Sequence, residues 1–139
     1  MDNTIQMLWI GPKLRVLERA CVQSFIDACH AVHLYVYGHV DNVPEKATTM
    51  RASDIIPKSD IFTYQRGSGN GSYAAFANLF RYKLLLDRGG WWSDADIFCL
   101  KPWEFDRKFV FCREASDNRQ IHNGVIKAPA GAPVMRHLY

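Results

Sequence analysis

The run IQMLWI at residues 5–10 is the feature that most restricts the fold. It is almost wholly apolar and ends at Gly11-Pro12, which is typical of a strand buried on both faces. Strands of this kind belong to parallel sheets, because the helices of the crossover connections cover both sides of such a sheet. The sequence therefore predicts an α/β fold built around this strand.

The segments after the first strand alternate between helical and strand patterns. Apolar residues recur at helical spacing over 14–28, and HLYVYG at 33–38 is rich in residues that favour strands. Weaker strand patterns lie near 50–56 and at 61–64, before the glycine-rich segment RGSGNGS. These patterns predict a strand, helix, strand unit that two further strands follow.

The second half of the chain contains the clearest helical pattern. SYAAFANLFRYKLLLDRGG has Ser72 as a candidate N-cap and Gly89-Gly90 at its end, where glycine favours a left-handed cap. Two further strands are predicted at 109–112 and 121–128, and a short helix begins at 133–139. The whole pattern predicts a mainly parallel sheet flanked by helices.

Composition excludes several classes of protein. The 139 residues, 48% of them hydrophobic, have the size and composition of one domain, 1–139. Lys and Arg number 17 against 14 Asp and Glu and are scattered, so no nucleic-acid partner is expected. No apolar run reaches the roughly 18 to 20 residues of a membrane span, and MDNTIQ lacks a signal-peptide pattern, which together predict a cytoplasmic protein. The four cysteines form no CxxC pair, so reduced core thiols are expected.

Two carboxylates, Asp94 and Asp96, follow the long helix in GGWWSDADIF. In an extended segment alternate side chains share one side, so both carboxylates would converge there with Trp92. Two ionised carboxylates this close repel each other unless one is protonated or a hard divalent cation lies between them. The alternative is a turn whose aspartates hydrogen-bond their own backbone. The triplet alone leaves both interpretations open.

Three segments in the same order resemble the DXD sugar-binding family of nucleotide-sugar-dependent glycosyltransferases. They are MLWIG at 7–11, LFRYKLLLDRGGWWSDADIFCLKPW at 79–103 and NGVIKAPAGAP at 123–133. The family includes initiating mannosyltransferases, globotriaosylceramide synthases and glucosylating toxins. The resemblance implies a GT-A type, Rossmann-like nucleotide-sugar-binding domain that is incomplete at its C-terminus.

The resemblance also implies roles for the two aspartates. Asp94 matches the aspartate that contacts the ribose and sugar with a share in the metal site. Asp96 matches the one that binds a divalent cation, Mn²⁺ or Mg²⁺, on the donor diphosphate. Such a cation stabilises the charge that develops on the leaving group. Both aspartates are therefore the expected catalytic residues, and no nucleophile stands out.

Three further residues match donor-binding positions of the family. Trp9 matches the tryptophan that stacks on the nucleobase, although a core tryptophan is an equal interpretation of the strand alone. Asn78 and Arg81 share a helix face and match a sugar-contacting pair, although the family has an aspartate where Asn78 stands. A solvated helix face is the alternative for this pair.

Two weaker candidates lie on the last strand. Asn123 would face the same crevice if this strand is parallel to the others, and a turn or bulge at Asn-Gly is the alternative. His122 is a candidate for a phosphate contact, although a lone histidine on a strand is more often structural. The glycines of RGSGNGS fit no phosphate-binding pattern, so that segment is expected to be a mobile loop.

The sequence thus predicts a hexosyltransferase that uses a UDP-sugar, or else a GDP-sugar, with a carbohydrate or other acceptor and retention of configuration. A nucleotide-sugar-binding module without transfer is the first alternative. A phosphatase with Asp94 as nucleophile is a second, but Phe98 stands where that class has Thr or Val. An incomplete domain would expose apolar surface that a partner subunit could cover.

Overall fold

The computed structural model describes residues 3–116 and 119–139. The strands are β1 (Ile5–Trp9), β2 (Val32–Val36), β3 (Ala47–Arg51), β4 (Gly90–Ser93), β5 (Val110–Arg113) and β6 (Ile121–Ala128). The helices are α1 (Val16–Asp27), α2 (Ala74–Arg88) and α3 (Pro133–Leu138), with single 3-10 turns at Ala52–Asp54 and Lys58–Asp60.

The six strands form one mixed sheet in the order β3-β2-β1-β4-β6-β5. β1 pairs in parallel with β2 and β4, and β2 pairs in parallel with β3. β6 is antiparallel to both of its neighbours, β4 and β5. The predicted α/β fold, a mainly parallel sheet flanked by helices, is confirmed.

The sheet has a hydrophobic core on each face, as the apolar β1 sequence predicts. Ile5 and Met7 of β1 pack on the α1 side, whereas Leu8 packs on the side of α2 and α3. The two tryptophans of β4 divide in the same way, because alternate residues of a strand point to opposite faces. Trp91 and Trp92 are 0% and 1% exposed, so both are core packing residues. Truncating a buried tryptophan to alanine typically costs about 3–5 kcal/mol.

The ends of α2 differ slightly from the predicted ones. Its N-cap is Tyr73 rather than Ser72, and the Ser72 hydroxyl accepts a hydrogen bond of 3.1 Å from the Ala74 N–H group. Gly89 ends the helix at φ 66°, and a Cβ atom there would lie 2.4 Å from the Ala130 backbone nitrogen. Only glycine fits this close approach. A glycine at position 89 therefore lets the chain pass from α2 into β4 without a longer loop.

Two predictions about local structure are wrong. The pattern at 61–64 forms no strand, because Tyr64 closes a loop through backbone hydrogen bonds with Gly71 and Ser72 of the glycine-rich segment. The cysteines are not all core residues. Cys21 and Cys99 are buried, but Cys29 lies exposed just beyond α1 and Cys112 lies exposed on β5.

No helix among the described residues is long and apolar enough to cross a membrane.

Candidate functional site

A cleft of about 570 Å³ opens at the carboxyl ends of β1 and β4. From β1 the chain proceeds outward through β2 and β3, and β4 then pairs on the other side of β1. This is the point where the strand order reverses, and open α/β sheets commonly bind ligands there. Its polar and aromatic lining includes Trp9, Arg15, Glu18, Tyr73, Arg81, Trp92, Asp94 and Asp96.

Asp94 is fixed at the end of β4. Its backbone N–H group donates a 2.8 Å hydrogen bond to the Gly124 carbonyl oxygen, and the Trp92 indole donates one of 2.9 Å to carboxylate Oδ1. Arg81 Nη1 forms a salt bridge with the same oxygen at 3.1 Å. The Asp94 side chain is 29% exposed, so its carboxylate is held by the protein and still faces the cleft.

Arg81 is the buried partner that orients Asp94. Its side chain is only 4% exposed, and its guanidinium lies 5.2 Å from the Trp92 ring centroid. Nη1 also donates to the Asn123 carbonyl and, at 3.2 Å, to the Asn123 side-chain oxygen. Burial lowers the pKa of Arg81, and the Asp94 carboxylate opposes that shift. The alternative of a solvated helix face is therefore wrong for Arg81.

Asn78 and Asn123 support Arg81 and are not among the cleft-lining residues. The Asn123 amide donates 3.1 Å hydrogen bonds to Asn78 Oδ1 and to the Tyr82 hydroxyl. The sequence predicts that Asn123 faces the crevice if the last strand is parallel to the others. That expectation about the strand is wrong, because β6 is antiparallel to β4. Asn123 still lies beside Arg81, because the amino end of an antiparallel β6 meets the carboxyl end of β4. Direct donor contact by either asparagine remains a prediction.

His122 lies beside Asp94 but is engaged with its own strand. Its Nδ1 accepts a 3.1 Å hydrogen bond from the Gly124 N–H group. A Cβ atom on Gly124 would lie 2.8 Å from this nitrogen and 3.0 Å from Asp94 Oδ2. Glycine therefore allows the close approach of β6 to Asp94, and a phosphate contact by His122 stays a prediction.

Asp96 differs from Asp94 in exposure and in contacts. β4 ends at Ser93, and residues 94–97 form a turn in which the Ile97 N–H group donates a 3.2 Å hydrogen bond to the Asp94 carbonyl. The expected extended segment is therefore wrong, because β4 is too short to include both aspartates. Asp96 is exposed at the cleft, and the salt bridges among the described residues do not include it.

The two aspartates suit a cation that also binds the substrate. Among the described residues, no group of three or more His, Cys, Asp or Glu side chains could hold a metal ion. Mg²⁺ is commonly bound by one or two carboxylates together with substrate phosphates and water. Asp94 Oδ1 already accepts from Arg81 and Trp92, whereas Asp96 projects into the cleft from the turn. A cation here would therefore need oxygen ligands from a substrate or water as well as from these carboxylates, and the metal role of Asp94 and Asp96 stays a prediction.

Trp9 lies on the opposite wall, at the last position of β1. Its ring is half-buried, and Nε1 donates a 3.0 Å hydrogen bond to the Lys13 carbonyl oxygen. The Arg15 guanidinium carbon lies 5.7 Å from the ring centroid. The ring thus packs partly on the core and partly lines the cleft, and its stacking on a nucleobase stays a prediction.

Arg15 and Glu18 also line the cleft, although no sequence motif selects them. Arg15 Nε donates a 3.1 Å hydrogen bond to Glu18 Oε2, and Nη2 contacts Oε1. This contact is the main cause that lowers the pKa of Glu18. Their three-residue spacing is common on helix surfaces. Only their place just after β1 could have indicated a site.

The charged groups of the cleft do not cancel. Arg15 and Arg81 face the three carboxylates of Glu18, Asp94 and Asp96. Each arginine is paired with one carboxylate, and Asp96 adds one negative charge in excess. A cation is therefore more readily accepted than an anion alone.

No protein-family model and no curated protein matches the sequence. Among solved structures, the chain is similar to one titled PaToxG Glycosyltransferase, with a TM-score of 0.67 and 14% sequence identity. The match covers 98% of this chain and 57% of that one. The chain has a glycosyltransferase-like fold. It spans a little over half the length of that protein, and at this identity the likeness concerns the fold alone.

Proposed function

We propose that this chain is the donor-binding domain of a metal-dependent glycosyltransferase. The donor is a nucleotide diphosphate sugar, with UDP-sugars favoured over GDP-sugars, and the acceptor is a carbohydrate or another hydroxyl compound. The observation that carries the proposal is the pair of aspartates in the cleft, with Asp94 held by Arg81 and Asp96 exposed.

The charge of the cleft favours a nucleotide sugar bound together with a cation over the nucleotide sugar alone. The diphosphate of a nucleotide sugar is a dianion at neutral pH, and the cleft already has one carboxylate in excess. A divalent cation, Mn²⁺ or Mg²⁺ held by Asp96 with a share from Asp94, would neutralise charge on the leaving diphosphate. Without a cation, the excess carboxylate repels the diphosphate, so the donor alone should bind weakly.

The remaining residues supply binding and orientation. Trp9 offers a ring face to the nucleobase at the β1 end of the cleft. Asp94 Oδ2 accepts a hydrogen bond from a sugar hydroxyl, because Arg81 and Trp92 already contact Oδ1. Asn78 and Asn123 keep Arg81 in place through their mutual hydrogen bond. Transfer with retention, which the family resemblance implies, belongs to the same proposal.

The proposal predicts slow hydrolysis of the donor by the chain alone. Water attacks the anomeric carbon, the bond from that carbon to the diphosphate oxygen breaks, and the proton of the water passes to solvent. Turnover should be poor, because positioning an acceptor hydroxyl can lower a barrier by about 7–11 kcal/mol, and water lacks that positioning. The assay is release of nucleoside diphosphate from UDP-sugars and GDP-sugars over hours with Mn²⁺.

The assay also separates an enzyme from a binding module. The chain spans 57% of the similar glycosyltransferase structure, so transfer by the whole protein is itself part of the proposal. Asp94→Ala and Asp96→Ala are the controls, because both remove a cleft carboxylate. Release that equals these controls, together with clear donor binding, would support a module that binds without transfer.

A further inference from the structure

Arg15 is an exposed cation at the wall of the cleft. It precedes α1 as its N-cap residue, and its side chain is 73% exposed. Its contacts are the Glu18 carboxylate and the ring of Trp9, both on the β1 side of the cleft. A long, exposed arginine can change rotamer without disturbing the core.

Arg81, the second arginine of the cleft, is held in one position. It is 4% exposed, and Asp94 and Asn123 both accept from it. Moving its guanidinium would break the ion pair with Asp94 and leave the partly buried Asn123 acceptors without this donor. Of the two arginines that line the cleft, Arg15 is the one that can turn toward a bound anion.

Glu18 does not depend on Arg15 alone. It lies in the first turn of α1, three residues after the N-cap, and its side chain is 3% exposed. After the contact with Arg15 and the opposing effect of burial, hydrogen bonds from the backbone N–H groups of Glu18 and Arg15 also lower its pKa. An acid at this position satisfies backbone donors at the start of a helix. The carboxylate therefore keeps partners when the Arg15 side chain leaves.

We propose that Arg15 is a movable clamp for the donor diphosphate, and that Glu18 holds it aside while the cleft is free of donor. This inference rests on the proposed function. Glu18 and Asp96 line the same cleft. Burial raises the pKa of the nearby Cys21 thiol, and the charges of Asp96 and Glu18 add to that shift. Arg15 bridges Glu18 to the ring of Trp9. A diphosphate between a base on Trp9 and a cation on Asp96 thus passes within reach of Arg15.

Two substitutions have opposite expected effects. Arg15→Gln removes the clamp and should weaken binding of UDP in the presence of Mn²⁺ by about tenfold, since a charge-assisted bidentate contact is lost. Glu18→Gln removes the competitor and one negative charge, and should strengthen binding by about threefold. Gln still caps the helix at this position, so the variant is expected to fold normally.

The measurement is isothermal titration calorimetry of UDP with Mn²⁺ into the full chain. Arg19→Gln is the matched control, because it removes an exposed arginine on α1 that does not line the cleft. Its dissociation constant should stay within about twofold of the wild-type value. Thermal unfolding of each variant establishes that it is folded.

Opposite shifts for Arg15→Gln and Glu18→Gln, with little change for Arg19→Gln, support the clamp. Unchanged binding by Arg15→Gln would overturn it, and weaker binding by Glu18→Gln would show that Glu18 is itself a ligand of the cation. Either outcome leaves the proposed function standing, because the wild-type chain binds UDP. A wild-type chain that binds neither UDP nor GDP with Mn²⁺ would overturn both proposals.

Discussion

Asp96→Asn should remove metal-dependent donor binding and leave the fold intact. Asparagine has nearly the same shape but no charge, so it is a much weaker ligand for a hard cation. Asp96 is exposed and takes no part in a salt bridge between described residues, so its loss leaves no buried group unpaired. We expect the affinity for UDP with Mn²⁺ to fall by more than about thirtyfold, or about 2 kcal/mol, as measured by calorimetry.

Asp106→Asn is the matched control, because Asp106 is also exposed but does not line the cleft. It should bind UDP like the wild-type chain. The free energy of unfolding without metal should be the same for both variants within about 0.5 kcal/mol. A larger loss for Asp96→Asn would assign Asp96 to the turn as a structural residue.

Arg81→Met should lower the free energy of unfolding by about 3 kcal/mol. Removing one partner of a buried ion pair leaves the other charge uncompensated, and Asn123 loses a donor to its carbonyl oxygen as well. Asp94 is 29% exposed, so water relieves part of this cost and the expected loss is at the low end for a buried pair. Urea denaturation measures the difference.

Arg88→Met on the same helix controls for the loss of an arginine. Arg88 is exposed and donates a 3.2 Å hydrogen bond to the Tyr35 hydroxyl, and its guanidinium carbon lies 5.8 Å from the Tyr35 ring centroid. Its loss should cost about 1 kcal/mol or less. A loss for Arg81→Met that is no larger would show that Arg81 does not organise Asp94 and Asn123.

The regular elements that have a strong local pattern could be predicted. The apolar run at 5–10 and the helical periodicity before Gly89 correspond to β1 and α2, and the predicted strand 121–128 has the observed bounds of β6. The direction of β6 was not predictable, because a strand pattern does not depend on its neighbour's direction. The pattern at 61–64 was wrong since Tyr64 pairs locally with the glycine-rich loop instead of with the sheet.

Four predicted residues line the cleft: Trp9, Asp94 and Asp96 at or just after the ends of β1 and β4, and Arg81 on α2. The contacts of Arg81 with Asp94 and Asn123 join distant parts of the chain, so no local pattern contains them. Sequence alone suggested direct donor contacts for Asn78 and Asn123, whereas their observed contacts position Arg81.

The turn at 94–97 gives the two aspartates different contacts. An extended segment would have made them equivalent neighbours on one side. In the structure Arg81 and Trp92 fix Asp94, while Asp96 projects from the turn without a salt bridge among the described residues. One carboxylate is thus oriented for hydrogen bonding and the other is available to a cation.

We propose that donor and cation bind together in the cleft. Its most direct test is the melting temperature of the wild-type chain with a panel of UDP-sugars and GDP-sugars, each with and without Mn²⁺. A ligand that binds the folded state stabilises it by RT ln(1 + [L]/Kd), so tight binding raises the melting temperature. We predict a rise for at least one nucleotide sugar only when Mn²⁺ is present. Equal shifts with and without Mn²⁺, or no shift with any donor, would contradict the account.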